Sequence, residues 1–290
     1  MTITAIILNY KNYDDIRACL LSLAGQKLDP ADHLNILVID NGSGDDSTKR
    51  LEPEFPNVQY IYNAANLGFA KAVNQGLKTK VASDYFLLVN NDAELDPLCL
   101  SQLMDISQGA ALVGPSIFYK AEPDIVWQGG GRFSKTRLNI TVADKNKPLA
   151  SQAVQAVDFL SGCVLLIPQS VINKIGFFDE QFFFYGEDLD FSLRAKKAGV
   201  EILYAPEAKA WHNIKRAAES RTSVFVLKNL AYSYIRVIKK HFPSRRFYGA
   251  LLFIFIYTPF RLKQIIAGGQ DWRNIQAWLK GGWLAWQEKI

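Results

Sequence analysis

Cysteine is scarce in this sequence of 290 residues, and the scarcity restricts how the protein is held together. The three cysteines, Cys19, Cys99 and Cys163, are odd in number, lie in apolar surroundings and show no metal-ligand spacing. We therefore expect neither a disulfide framework nor a zinc site, and the composition favours a reducing compartment.

The sequence also lacks segments that direct a chain into or across a membrane. It begins with a strand-like run, TITAIILNY, and shows no basic leader or small-residue cleavage site. An uncharged apolar run, Phe247–Phe260, would extend only about 21 Å as a helix, against a hydrocarbon core of roughly 30 Å. We therefore predict a cytoplasmic protein in which this run is too short to span a membrane.

The charges are unevenly divided along the chain. The net charge is +5, yet residues 213–290 carry 14 Lys and Arg against three acidic residues, which leaves residues 1–212 acidic at −6. Hydrophobic residues make up 49% of the chain, so it is globular rather than disordered. The sequence therefore predicts an acidic globular body followed by a basic C-terminal region.

Four β-rich runs separated by helical patterns predict an α/β fold with a mostly parallel sheet flanked by helices. The runs are Thr4–Tyr10, Leu34–Asp40, Val58–Tyr62 and Asp84–Asn90. Ligands bind beyond the carboxyl ends of such strands. The polar residues at those ends are Asn9, Tyr10, Asp40, Asn41, Asn90, Asn91 and Asp92.

Two of these strand ends continue into distinctive stretches. VIDNGSGDDS places Asp40 before a turn that leads into a predicted helix capped by Ser43 or Asp45. VNNDAELDP places Asp92 just past a strand, where a divalent ion on this carboxylate would neutralise a diphosphate leaving group. The alternative for Asp92 is that it only caps the helix that follows.

A third stretch, Gly176–His212, is rich in acids and aromatics. Glu187 and Asp188 open a predicted helix, after an aromatic loop at Phe182–Tyr185 that would wall a cleft and raise the pKa of a nearby carboxyl group. His212 follows the next strand. Acids at a helix start are often structural, and a lone His is often a core or surface residue, so both alternatives stay open here.

The chain resembles a family 2 glycosyltransferase of the GT-A fold, most closely the rhamnosyltransferase branch that builds bacterial surface polysaccharides. The resemblance spans Thr2 to His212. It is carried by seven ordered blocks: IILNYKN, VIDNGSGD, NLGFAKAVNQG, LLVNNDAEL, FLSGCVLLIP, GFFDEQFFFYGEDLDFSLRAKKAG and AWH.

The resemblance implies roles for individual residues. Asp188 would be the catalytic base, with Glu187 beside it as the other acid of the ED pair. Mg or Mn would be bound through Asp92 and His212. The nucleotide-sugar donor would be bound by Asn9, Tyr10, Asp40, Asn66, Gly68, Asn90, Asn91 and Arg194. Asn90 and Asn91 stand where many relatives have acids, which leaves the metal fewer charged ligands.

The implied reaction is the transfer of a sugar, with inversion, to a hydroxyl of a lipid-linked saccharide. The resemblance favours L-rhamnose, donated by dTDP-rhamnose, as this sugar. The product would be a cell-envelope glycan such as an O-antigen. A UDP-sugar, carrying galactose, N-acetylglucosamine or a similar sugar, is the alternative donor. A non-catalytic protein that binds nucleotide or nucleic acid is a further alternative, but the acidic body does not call for a nucleic-acid partner.

The C-terminal region has its own pattern. Val224–Phe242 reads as an amphipathic helix, and several tryptophans follow the apolar run. Trp prefers membrane interfaces, and basic residues favour anionic lipid. We therefore predict a catalytic domain at 1–212 and a membrane-associating region at 213–290, peripheral on the inner face of the cell membrane. The alternatives are that its apolar faces pack on the body or form a homodimer interface.

Overall fold

The four predicted N-terminal strands form, and they lie parallel to one another in one sheet. The structure is a computed structural model that describes residues 1–79, 82–214, 223–267, 269 and 271–288. The strands are β1 (Thr2–Asn9), β2 (His33–Asp40), β3 (Gln59–Tyr62) and β4 (Tyr85–Asn90). β1 lies between β2 and β4, and β3 pairs with β2. The carboxyl ends of these strands therefore meet at one edge of the sheet.

Further strands of mixed direction follow in the chain, and most of them continue the sheet beyond β4. They are β5 (Ala93–Leu95), β6 (Leu112–Tyr119), β7 (Glu122–Gln128), β8 (Gly131–Ser134), β9 (Asn139–Val142), β10 (Gln155–Ala156), β11 (Val164–Pro168) and β12 (Ile202–His212). The order is β3-β2-β1-β4-β11-β6-β12-β10, with β5 on β12 and β7 on β6. β8 and β9 form a separate antiparallel hairpin.

Five helices flank the body of the sheet. They are α1 (Tyr13–Ala24), α2 (Phe69–Leu77), α3 (Cys99–Ser107), α4 (Gln169–Ile175) and α5 (Glu187–Lys197). Two buried apolar clusters form, one containing residues of α1 and α3 and the other residues of α2, α4 and α5. Because helices cover both faces of the sheet, the central strands are buried on both sides. Their sequences are therefore nearly continuous apolar runs.

The prediction of a helix after the turn that follows Asp40 is wrong. The segment forms a loop with one 3₁₀ turn at Lys49–Leu51. Local side-chain bonds hold this loop, because the backbone N–H of Ser43 donates to Oδ1 of Asp40 at 2.8 Å and that of Ser47 donates to Asp45 at 3.0 Å. Such bonds offer the backbone an alternative to helical pairing.

The C-terminal region is helical, as predicted. It contains α6 (Val224–His241), a 3₁₀ turn (Pro243–Arg245), α7 (Arg246–Leu252), a π-helical turn (Phe253–Tyr257), α8 (Thr258–Ala267) and α9 (Trp272–Gln287). Leu227 and Ala231 of α6 are buried against α9. Gly281 allows close approach of the two helices, since a Cβ there would lie 2.1 Å from the carbonyl oxygen of Lys228.

The apolar helix is longer than predicted. Helical structure runs without a break over Pro243–Ala267, 25 residues, which is long and apolar enough to cross a membrane by length and composition alone. The prediction that this stretch is too short to span is therefore wrong. The predicted run ended at its charged neighbours Arg246 and Arg261, but the helical structure continues past both, and Pro259 lies in the first turn of α8, where a proline is tolerated.

Ion pairs attach α6 to the body. The buried carboxylate of Asp190 accepts from His241 at 2.7 Å and lies 2.8 Å from Nζ of Lys240. Asp179 pairs with Lys240 at 2.7 Å and with Arg236 at 3.2 Å. Arg236 is only 3% exposed. These basic side chains, which the sequence suggested for contact with lipid, are instead used for contacts inside the protein.

Candidate active site

The predicted polar residues converge at the carboxyl edge of the parallel strands. Asn9 ends β1 directly beside Asp40, which ends β2. Asn90 ends β4, and Nδ2 of Asn91 donates to Oδ1 of Asn9 at 2.8 Å. The topology therefore brings together side chains that lie up to 82 positions apart in the chain.

Asn9 and Asp40 lie beneath the surface of this edge and line neither of the two cavities described below. Both are buried, and both bind the loop that follows β2. Nδ2 of Asn9 donates to Oγ1 of Thr48 at 2.7 Å, and the same hydroxyl donates to Asp40. With Ser43 on its other oxygen, the carboxylate of Asp40 holds this loop in place.

Most of the remaining predicted binding residues line one cavity of about 470 Å³, here called the strand-end cavity. They are Tyr10, Asn66, Gly68, Asn90, Asn91 and Asp92. Phe183 and Phe184 form a wall, as the aromatic loop predicted. Gly68 has a φ of 81°, and a Cβ there would lie 2.6 Å from the carbonyl oxygen of Phe183, so only glycine fits.

Asn41 organises this cavity, a role that its place among the polar strand-end residues does not by itself predict. Its Nδ2 donates to Oδ1 of Asn66 at 3.0 Å, and its Oδ1 accepts from the backbone N–H of Leu67 at 3.0 Å. The Asn that directly follows the strand-end Asp was a visible signal, because such a side chain can bind neighbouring loops.

A second cavity of about 470 Å³ adjoins the first and is called the carboxylate cavity. The two share Phe69, Asn90, Asp92 and Phe184. Glu187, Asp188 and His212 line only the second. A molecule that fills both cavities would therefore contact the predicted binding residues at one end and the predicted catalytic acids at the other.

Asp92 and His212 form a pair at the border of the two cavities. Nε2 of His212 lies 2.8 Å from Oδ1 of Asp92, and the imidazole packs against Trp127 with 4.5 Å between ring centroids. Burial of the ring lowers its pKa, but the neighbouring Cys163 sulfur and the hydrogen bond to Asp92 outweigh this and raise the pKa of His212 to about 10. A β-strand separates Asp92 from α3, so the alternative that Asp92 caps α3 does not hold.

Asp188 and Glu187 lie in the first turn of α5. Burial raises the pKa of Asp188 to about 6, although its carboxylate accepts from the backbone N–H groups of Leu189 at 2.8 Å and Gly162 at 3.3 Å. Burial and the neighbouring Asp188 raise the pKa of Glu187 well above its usual value. Within the described residues, Oε2 of Glu187 is buried without a hydrogen-bond partner.

Arg194 is not brought to either cavity. Its Nε donates to Asp190 at 2.9 Å, and its other nitrogens donate to the carbonyl oxygens of Ile175 and Phe177 at 2.6 and 2.8 Å. Arg194 and Asp190 stand four positions apart on α5 and form an ion pair. The guanidinium therefore fixes α5 against the segment that precedes the aromatic loop.

The donor set at the cavity border fits a divalent cation that receives part of its coordination from a ligand. Asp92 offers a carboxylate oxygen that is 30% exposed, and His212 offers an imidazole nitrogen beside it. Nδ1 of the same ring is buried and has no partner among the described residues. In the described ranges, no group of three or more His, Cys, Asp and Glu side chains is placed to hold a metal. Oxygens from a bound diphosphate would complete such a site.

Comparison with known proteins gives three findings. Residues 4–175 match the family described as Glycosyl transferase family 2. The chain is 27% identical over 235 residues to N-acetylglucosaminyl-diphospho-decaprenol L-rhamnosyltransferase of Mycobacterium tuberculosis, covering 72% of this chain and 76% of that protein. It is 25% identical over 219 residues to the low-salt glycan biosynthesis hexosyltransferase Agl10 of Haloferax volcanii, covering 73% of this chain and 67% of that protein.

The fold is similar to that of a solved protein, GalNAc-T7 crystallised with UDP, GalNAc and Mn²⁺. The TM-score is 0.65 at 16% identity, over 82% of this chain. This chain spans 47% of that protein, about half its length. The likeness confirms the predicted GT-A fold class.

Proposed function

The chain belongs to glycosyl transferase family 2, and on that premise we propose that it transfers L-rhamnose from dTDP-rhamnose, with inversion, to a hydroxyl of a lipid-linked saccharide in the synthesis of a surface polysaccharide. As a glycosyltransferase it is an enzyme, so the non-catalytic alternative is set aside. The relative from M. tuberculosis, whose name specifies L-rhamnosyl transfer and a diphospho-decaprenol carrier, supports this choice. The observation that carries the proposal is that Asp188 shares a cavity with the Asp92–His212 pair.

The strand-end cavity is the proposed donor site. Tyr10, Asn66 and Gly68 would contact the nucleoside, and Asn90 would donate to the diphosphate or the sugar, while Asn91 would accept from a sugar hydroxyl through its Oδ1. Asn9 and Asp40 would act through the loop that they hold, and Arg194 through the position of α5. The aromatic wall supplies an apolar face for a pyrimidine ring.

Asp92 and His212 would hold Mg²⁺ or Mn²⁺ at the border of the two cavities. When bound there, the ion would neutralise the charge that develops on the departing diphosphate. Nε2 of His212 faces Oδ1 of Asp92, so it could bind a cation at this position only in its unprotonated form.

Asp188 is the proposed general base. Its carboxylate would accept the proton of the acceptor hydroxyl while that oxygen attacks the anomeric carbon and the nucleoside diphosphate leaves from the opposite face. The raised pKa suits this task, because a base near the working pH both stays ionised and binds a proton well. Glu187, with a pKa raised further by its neighbour, would remain protonated and present a hydrogen-bond donor to the same cavity.

The protein is proposed to act at the cytoplasmic surface of the cell membrane. The segment Pro243–Ala267 has an apolar outer face. Its exposed apolar side chains are Phe247, Leu251, Ile254, Phe255, Ile256, Phe260 and Ile266. On the inner side, Tyr248 and Tyr257 donate to carbonyl oxygens of the β8–β9 turn. A segment anchored along the body favours lying in the interface over spanning, and a homodimer through this face is the alternative.

Calorimetric titration of the purified chain with dTDP, UDP, dTDP-rhamnose and UDP-sugars, with and without Mg²⁺ or Mn²⁺, tests the donor. Metal-assisted binding of dTDP-rhamnose above the UDP-sugars is expected. Preference for a UDP-sugar would contradict the assignment of dTDP-rhamnose as donor but would not contradict the mechanism. NMR of the anomeric centre in the product then tests inversion, and a retained configuration would overturn the single-displacement mechanism.

A further inference from the structure

A third cavity of about 350 Å³ lies behind the carboxylate cavity, on the side away from the strand ends. It is called the helix cavity because α6, α8 and α9 close it over the β8–β9 hairpin. It shares Tyr185, Asp188, Leu230 and Arg261 with the carboxylate cavity, and none of these lines the strand-end cavity. The proposed base therefore stands between the proposed donor site and a separate compartment.

The helix cavity carries one strong positive charge. Among the residues that the structure describes, Arg261 is the only Arg or Lys that lines either the carboxylate cavity or the helix cavity. Nη1 of Arg261 donates to Oε1 of Gln264 at 2.9 Å, and the guanidinium lies 5.4 Å from the ring centroid of Trp278. These contacts orient a planar group with several donors, the kind that binds phosphate oxygens.

One buried polar atom points to a ligand in the same cavity, and a second polar group lies near it. Oδ1 of Asn139 is buried and has no hydrogen-bond partner within the described ranges, and the buried hydroxyl of Tyr234 interacts with that of Tyr257. Both residues line the helix cavity. A buried polar group without a partner costs free energy, so a ligand that offers hydrogen-bonding groups would recover it.

Much of the remaining lining is apolar, and one helical segment contributes both to this lining and to the outer surface of the protein. Leu138, Val237 and Ile238 line the cavity. Pro243–Ala267 places Tyr257 and Arg261 in the cavity wall and turns its apolar outer face to the surroundings. Asp188, Arg261 and the apolar wall would contact different parts of one ligand. Such a ligand has polar groups near Asp188, a phosphate near Arg261 and an apolar chain along the wall.

We propose that the helix cavity is the acceptor subsite, and that Arg261 binds the diphosphate that joins the acceptor saccharide to its lipid. Tyr234 and Asn139 bind polar groups of the saccharide, and the apolar wall covers the first part of the lipid chain. This assignment rests on the proposed function, since it takes Asp188 as the base that meets the acceptor.

Binding of geranyl diphosphate tests the assignment without donor or turnover. Titrations are run in EDTA, so that no cation recruits the probe to Asp92 and His212, and are repeated in the Asp92→Ala variant. The wild type is expected to bind geranyl diphosphate more tightly than geraniol or inorganic diphosphate. Arg261→Gln should weaken binding of geranyl diphosphate by about 10- to 100-fold and leave binding of geraniol unchanged.

Arg246→Gln is the matched control, because it removes an exposed arginine from the same helical segment. Tyr234→Phe is a second variant that removes only one hydroxyl from the cavity wall. Assayed for transfer to a short-chain prenyl-diphosphate-linked N-acetylglucosamine, it should raise the acceptor KM about 2- to 10-fold without lowering the unfolding temperature.

The inference fails if the wild type does not bind geranyl diphosphate, if Arg246→Gln weakens binding as much as Arg261→Gln, or if Arg261→Gln has no effect. Loss of rhamnosyl transfer with any acceptor, while the binding of geranyl diphosphate still depends on Arg261, would instead contradict the proposed donor. The two failures are therefore distinguishable.

Discussion

Nε2 of His212 lies 2.8 Å from Oδ1 of Asp92, although 120 positions separate the two residues in the chain. The pairing of β12 with β5 produces this contact, because His212 is in register with Ala93, the residue after Asp92. The backbone of the sheet therefore fixes the distance between the two proposed metal ligands. A site built on strands in this way is more rigid than one built on loops alone.

Asp92→Ala should abolish the effect of Mg²⁺ or Mn²⁺ on nucleotide binding. Removing the carboxylate leaves only an imidazole, so the apparent affinity for dTDP in the presence of metal should fall by roughly 10- to 100-fold, while the affinity in EDTA stays the same. Calorimetry with and without metal measures both values. Asp105→Ala, which removes an exposed carboxylate of α3, should behave as the wild type. Equal metal dependence in wild type and Asp92→Ala would remove Asp92 from the site.

Asp188→Asn should lower kcat by about 100-fold or more without weakening donor binding. The amide keeps the size of the side chain and cannot accept the acceptor proton. Turnover is measured by release of dTDP in the presence of acceptor, and donor affinity by calorimetry on the same preparation. Nearly normal turnover with intact donor binding would contradict the assignment of Asp188 as base.

The dependence of kcat/KM on pH should report the ionisation of Asp188. A general base works only when ionised, so kcat/KM should be constant above the pKa of Asp188, which is raised to about 6, and fall about tenfold per pH unit below it. The unfolding temperature recorded over the same pH range separates loss of ionisation from loss of fold. An acid limb near pH 4, the range of an ordinary carboxyl group, would show that a different residue or no base controls the rate.

The strands and their polar ends could be predicted from the sequence because they follow local rules. Buried parallel strands read as short apolar runs, and Asn9, Asp40 and Asn90 were expected at one edge because parallel strands end together. Whether a strand-end side chain faces a cavity is not local. Asp40 binds Ser43 and its own loop, and only the folded loop shows this.

Contacts between distant segments left no pattern in the sequence. The amphipathic pattern of α6 does not predict that Arg236 is buried, yet Asp179 and Glu288 reach it from other parts of the chain. In the sequence, Arg261 is only the charge that follows the apolar run Phe247–Phe260. Its place beside Asp188 depends on how the C-terminal helices pack on the body, which neither periodicity nor composition records.

Asp190→Asn should destabilise the protein by about 3–5 kcal/mol, the usual cost of breaking a buried ion pair. Asp190 is fully buried, and its loss would leave Arg194, Lys240 and His241 close together without a compensating charge. Urea denaturation measures the change. Asp124→Asn, at an exposed position, is the control and should change stability by less than about 0.5 kcal/mol. A similarly small effect of Asp190→Asn would show that these contacts do not hold α6 to the body.

The outer face of Pro243–Ala267 should bind membranes through its aromatic side chains. Phe255 is 69% exposed and Phe260 is 60% exposed, and burial of an apolar side chain of this size is worth about 1.5–3 kcal/mol. The double variant Phe255→Glu, Phe260→Glu should therefore lose flotation with vesicles that contain anionic lipid, by tenfold or more. Its donor affinity should remain that of the wild type, because neither residue lines the strand-end cavity.

Leu21→Glu provides the matched control for this flotation experiment. Leu21 is 49% exposed on α1 of the body, so the variant adds a charge at an exposed apolar position outside the proposed membrane face. It should float with vesicles as the wild type does. If the double variant also floats normally and light scattering shows that it has changed from dimer to monomer, the outer face is a subunit interface. The apolar surface would then be covered by a second copy of the chain, and lipid-linked acceptors would have to reach Asp188 by a different route.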